Sequence, residues 1–138
     1  MSEQSDWPPT PDDRALLIRM LNAVNILYSM DHRISTQLAR TFLRVAEDEH
    51  QTVASLASKC GISAAVMTRH LQNLGSVNRN GNPGLGLVEM VEGLYDRRER
   101  RAILTERGAQ AARLIYETLV EPKPVLRRRP RTDRTPED

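Results

Sequence analysis

The chain has a single cysteine, Cys60, in 138 residues, so it can form no internal disulfide. Aromatic residues are scarce at 4%. A core must therefore be built from Leu, Ile, Val, Met and Ala, which favours helices over a sandwich. No apolar run has the length of a membrane span, and the polar N-terminus does not read as a signal peptide. The default expectation is a cytoplasmic protein without a membrane partner. His32, His50 and His70 lie far apart and lack metal-ligand spacing, so neither a metal nor a cofactor is expected. There is no phosphate-cradling glycine loop, no framed pair of catalytic carboxylates and no nucleophile beside a base, which argues against an enzyme.

Lysine is also rare. Only Lys59 and Lys123 occur, so the cationic side chains are overwhelmingly arginine. Guanidinium suits phosphate and minor-groove contacts. The formal net charge is only +2, so the distribution of charge is more informative than its total. The first thirteen residues carry Glu3, Asp6, Asp12 and Asp13 and no base. Between residues 52 and 108 the balance reverses, and Arg97, Arg98, Arg100 and Arg101 crowd together.

Length fits one domain with a real core. Residues 1–11 carry three prolines and read as a disordered lead. A single domain is expected over 12–121, and a disordered basic tail over 122–138, with Arg127-Arg128-Arg129 and Arg131. That tail suits either an electrostatic arm on DNA or a solubilising end. A first helix, capped by Asp12 or Asp13, runs to about Met30 with a broad apolar stripe including Leu17, Met20, Leu21, Val24, Leu27 and Tyr28. A second follows Ser35, with Leu38, Ala39, Phe42, Leu43, Val45 and Ala46 as its buried side. A last helix runs from Thr105 to about Val120, burying Ala109, Ala112, Ile115, Tyr116 and Leu119.

Between them, residues 52–74 read as a helix-turn-helix. Thr52 and Ser63 are N-caps for two short helices. Ala57 allows a close crossing, and Gly61 supplies the left-handed turn residue. Leu56, Cys60, Ile62, Met67 and Leu71 form the wedge, where Cys60 acts as a small hydrophobe. Ser63, Ala64, Ala65, Thr68, Arg69 and Gln72 are left pointing outward as DNA-contact candidates. Arg69 matches guanine, Gln72 adenine, and the alanines a thymine methyl. After a Gly/Asn-rich loop, residues 86–104 read as a β-hairpin with a cationic tip: Leu87–Val91, then Asp96 to Arg101, then Ala102–Leu104.

These residues resemble the MarR family of winged-helix transcription regulators. The match rests on Ala57, Gly61, Ile62 and Ser63, on Thr68-Arg69, and on Gly86-Leu87-Val88-Glu89. It continues through Asp96-Arg97-Arg98 and Leu104-Thr105-Glu106-Arg107-Gly108, with the intervening spacings kept. The resemblance covers roughly residues 34–116 and implies a mainly α fold with a small β-hairpin wing. It implies a homodimer on double-stranded DNA, with recognition helices in the major groove and Arg97 or Arg98 probing the minor groove. Arg100 joins this group, and Asp96 would steady the wing by pairing with a nearby arginine. The segments 12–33 and 105–121 would dimerise through Leu17, Met20, Leu21, Val24, Ile115 and Leu119. About eight extra residues separate the recognition helix from the wing by comparison with the family, and Arg79 within them is a further phosphate-contact candidate. The expected function is sequence-specific transcription regulation, as a repressor. The alternative is a winged-helix module that binds protein instead of DNA. A small-molecule effector is left open.

Overall fold

The computed structural model describes residues 10–77 and 81–120. Arg79 and the 122–138 tail lie outside those residues. Helix α1 spans Pro11–Met30, α2 Thr36–Glu47, α3 Val53–Cys60, α4 Ala64–Leu74 and α5 Glu106–Val120. Three strands, β1 (Gln51–Thr52), β2 (Val88–Glu92) and β3 (Arg100–Leu104), form an antiparallel sheet in the order β1-β3-β2.

The helix starts are set by side chains that satisfy free backbone N–H groups, each worth about 1 kcal/mol. Thr10, not Asp12 or Asp13, caps α1. Its Oγ1 accepts from the Asp13 N–H at 3.2 Å, and Asp13 Oδ2 accepts from the Thr10 N–H at 3.3 Å. This reciprocal box puts Pro11 at the first helical position, where its missing donor costs nothing. The helix therefore begins inside the stretch expected to be a disordered lead. Ser35, Thr52 and Ser63 cap α2, α3 and α4 as expected, accepting from Leu38, Ser55 and Val66.

Strand β1 was not foreseen. It pairs Gln51 with Ala102 and Thr52 with Arg101. The chain enters it through His50, a non-glycine residue at φ +73°. Gln51 is buried and fully engaged. Its Nε2 donates to the Arg44 and Asp48 carbonyls at 3.0 and 2.7 Å, and its Oε1 accepts from Ser55 Oγ at 3.4 Å. This one side chain joins the end of α2 to the start of α3.

The core centres on Phe42, Val45, Leu56, Met67, Leu74, Leu87 and Val88, all almost fully buried. It closes between α2, the α3–α4 pair and the inner face of the sheet. Helices α1 and α5 pack together and run antiparallel. Arg19 donates to the Leu119 carbonyl near one end at 3.2 Å, and Arg107 donates to the Met30 carbonyl at the other at 3.1 Å.

On α1 the residues expected to dimerise lie outside the protomer's core, and the buried face of α5 differs in part from the expected one. On α1 only Ala23 and Leu27 are buried, while Leu17, Met20, Leu21, Val24 and Tyr28 lie exposed. On α5 the buried residues are Gly108, Ala111 and Ile115, whereas Ala109, Tyr116 and Leu119 are exposed. Ile115 belongs to the protomer's own core cluster. Its side chain is 7% exposed, so it offers little surface beyond the protomer. On α2, Leu43 is exposed and the unexpected Thr41 is buried.

Candidate nucleic-acid interface

Recognition geometry begins at Gly61. With φ +70° and ψ +34° it ends α3 in the left-handed conformation, and the Ile62 N–H returns to the Ala57 carbonyl at 3.0 Å. Ala57 at the crossing is buried, as are Leu56, Cys60, Met67 and Leu71; Ile62 is half-buried. The wedge thus turns the other side of α4 outward. Ser63, Ala64, Ala65, Thr68 and Arg69 are exposed and Gln72 is half-buried. Ala65, Thr68, Arg69 and Gln72 line one shallow depression.

Two contacts that the sequence did not reveal hold the helix-turn-helix against α2, one at the end of α3 and one on α4. Arg40 Nη2 donates to the Cys60 carbonyl at 2.7 Å. Thr41, 1% exposed, is joined by its Oγ1 to His70 Nδ1 at 3.3 Å. Neither residue is apolar, so hydrophobic periodicity gave no sign of them. Burial, with the Arg69 and Arg40 charges nearby, lowers the His70 pKa below its ordinary 6.5. The folded chain therefore keeps His70 neutral where the unfolded chain protonates it. Stability from this source is complete above pH 6.5 and declines as pH falls below that value. Replacing His70 by Gln should flatten the acid side of a urea-denaturation series recorded from about pH 7 down to pH 5. Parallel curves for the two proteins would remove His70 from the account.

The wing presents its cations unequally. Arg97, Arg98 and Arg100 are exposed. Arg101 is not free to reach outward: it forks onto Glu99 Oε1 at 2.8 and 3.1 Å and donates to the His50 carbonyl at 2.6 Å. It braces the hairpin against the β1 entry. Asp96 steadies the tip chiefly through backbone. Its Oδ1 accepts from the Arg98 N–H at 3.0 Å, and the Arg98 guanidinium stands 3.6 Å away.

Recognition helix and wing meet across a groove of about 550 Å³, lined by Val53, Thr68, Leu71 and Gln72 on one side and Val88, Glu89, Met90 and Arg100 on the other. Arg100 and the α4 candidates Thr68 and Gln72 therefore share one concavity. Arg97 and Arg98 stand beyond it at the tip.

The segment leading into β2 is tied to the end of α4. The Gly84, Leu85, Gly86 and Leu87 N–H groups donate to the Ser76, Asn73, Gly75 and Leu74 carbonyls at 2.8–3.0 Å, and Val77 bridges Pro83. Residues 84–87 are thus held against the end of α4, and β2 begins beside that helix.

No protein-family model and no curated protein matches the chain. Its fold is similar to that of several solved structures. RV1404 from Mycobacterium tuberculosis is 24% identical at a TM-score of 0.57, over 80% of this chain and 75% of that one. FabT from Streptococcus pneumoniae, solved in complex with DNA, is 21% identical at 0.54, over 76% and 70%. Reduced AbfR bound to DNA is 20% identical at 0.52, over 78% and 71%. The chain shares the winged helix-turn-helix fold of these structures.

Proposed function

We propose that the chain is a homodimeric, sequence-specific DNA-binding transcription regulator that acts as a repressor by occupying its operator. The observation that carries this reading is the outward face of α4, with Arg69 and Gln72, set across one groove from the arginine wing. In this geometry Arg69 and Gln72 meet base edges in the major groove, with Ser63, Ala64, Ala65 and Thr68 lining the approach. Arg97 and Arg98 follow the backbone into the adjacent minor groove, and Arg100 faces the intervening phosphates. FabT and AbfR, which share the fold, were each solved on DNA, and this supports the reading.

Fluorescence anisotropy on duplexes selected from a random library tests it. Arg69→Ala should weaken binding about 10- to 100-fold and relax preference at one base position. Arg97→Ala should weaken binding to all sequences and lower the slope of log affinity against log salt by about one. Salt-insensitive binding, or full affinity in both variants, contradicts the model. A stoichiometric protein partner captured without any DNA shift at low salt would favour the interaction-module alternative.

A further inference from the structure

Two side chains at the wing tip have no partner in the DNA contacts assigned so far. Leu94 is 88% exposed and Tyr95 99%, whereas the next most exposed large apolar residue among the described residues, Tyr116, reaches 63%. The turn that carries them is firmly built. The Gly93 N–H donates to the Glu99 carbonyl at 2.8 Å, and the Glu99 N–H donates to the Asp96 carbonyl at 3.0 Å. Gly93 is buried, and a Cβ there would stand 2.9 Å from both the Asp96 carbonyl oxygen and Glu99 Oε1, so glycine permits the closure. Below the turn, Arg101 holds Glu99. These bonds draw residues 96–99 into a tight turn and leave Leu94 and Tyr95 as a bulge on its rising side. Neither side chain belongs to the core cluster of the described residues.

An apolar pair flanked by the exposed Arg97 and Arg98 has the composition of a minor-groove wedge. Guanidinium groups satisfy the phosphates and the groove's negative potential, while the apolar side chains meet deoxyribose and base surface. The geometry points to Leu94 and Tyr95 as a wedge that enters the minor groove where the wing lands and opens one base step. This rests on the DNA-binding reading above. Flexible pyrimidine–purine steps such as TA and CA/TG open most easily. The tip therefore adds sequence preference at a position that α4 never touches. Leucine and tyrosine beside arginine also occur at lipid surfaces, but those need a broad amphipathic face, and here two side chains stand on a narrow tip.

The test uses the full chain and its library-selected duplex, with 2-aminopurine placed at successive positions under the wing. The wild-type protein should raise the fluorescence several-fold at one step. Leu94→Ser/Tyr95→Ser should abolish that rise and weaken binding about tenfold with an unchanged salt slope, because no phosphate contact is lost. Tyr95→Phe should retain both signals. Both side chains are solvated, so the melting temperature of the double variant should match the wild type. Wild-type affinity and fluorescence in the double variant would overturn the wedge and leave the DNA-binding reading intact. Loss of binding to phosphatidylserine vesicles with unchanged DNA affinity would also overturn it. Failure of the wild type to bind any duplex would remove both.

Discussion

Gly108→Ala is expected to destabilise the protein by about 3 kcal/mol or more, lowering the melting temperature by over ~10 °C. Helix propensity alone predicts the opposite sign, since alanine in a helix is better than glycine by about 1 kcal/mol. The steric term decides. Gly108 lies in the first turn of α5, and a Cβ there would fall inside contact distance of the Leu87 carbonyl oxygen. That oxygen belongs to backbone and cannot swing aside. It accepts from the Thr105 N–H at 3.1 Å, while the Leu87 N–H donates to the Leu74 carbonyl at 2.8 Å. Thr105 Oγ1 also accepts from the Gly108 N–H at 2.9 Å and donates to the Gly86 carbonyl at 2.7 Å. Making room for a methyl group would break this knot, which joins the end of α4, the start of β2 and the start of α5. Differential scanning calorimetry provides the check. A rise in melting temperature would mean that α5 and β2 stand further apart than described.

The same glycine explains where the sequence was misleading. Apolar periodicity assigned Ala109, Ala112, Ile115, Tyr116 and Leu119 to the buried side of α5. The observed face keeps Ile115, with Ala112 half-buried beside it, but takes Gly108 and Ala111 in place of Ala109, Tyr116 and Leu119. A glycine has no side chain to count as apolar, yet its lack of bulk permits the closest approach and so fixes the helix's rotation. Thr41 and Gln51 are the polar counterpart. Both are buried because their hydrogen bonds are met, by His70 and by the Arg44 and Asp48 carbonyls. Nothing in a hydrophobic pattern marks a polar residue whose partners lie in another element. Strand β1 escaped for a related reason: two residues show no alternation, and its pairing is supplied by β3.

What was legible was local. Ser35, Thr52 and Ser63 satisfy N–H groups a few residues away, and Gly61 needs only its own backbone angles. The hairpin depends on neighbouring chain, and β2 and β3 lie where the two β-type runs were expected, β3 starting two residues earlier at Arg100. The candidate DNA-contact residues of α4 followed because the wedge residues that orient the helix lie within the same short motif. The outward pair Leu94-Tyr95 had no such signal, since two apolar residues beside a turn look like ordinary hairpin packing until their exposure is known.

Leu21→Asp combined with Val24→Asp is expected to convert the protein to a monomer and to weaken binding to a two-half-site duplex about 100-fold or more. Leu17, Leu21, Val24 and Tyr28 recur at helical spacing along α1 and are 46–55% exposed. Their stripe lies on a different side of α1 from Ala23 and Leu27, which face the core. On the adjacent α5, Leu119 is also exposed, at 40%. In the homodimer proposed above, this apolar surface of α1 and α5 would meet its copy on a second protomer. Each protomer presents one recognition helix. Joining two turns the second contact into an intramolecular event, and the symmetry sets half-sites about 34 Å apart. The aspartates would stand on a face the protomer leaves in water, so α1 can still form around them. Sedimentation should show a wild-type dimer and a variant monomer, and the wild-type melting temperature should rise with protein concentration. On a duplex carrying one half-site the two proteins should bind alike, which separates lost pairing from lost recognition. A variant that still sediments as a dimer would move the interface elsewhere. One that binds the single half-site poorly would show that α1 also supports the fold of the helix-turn-helix.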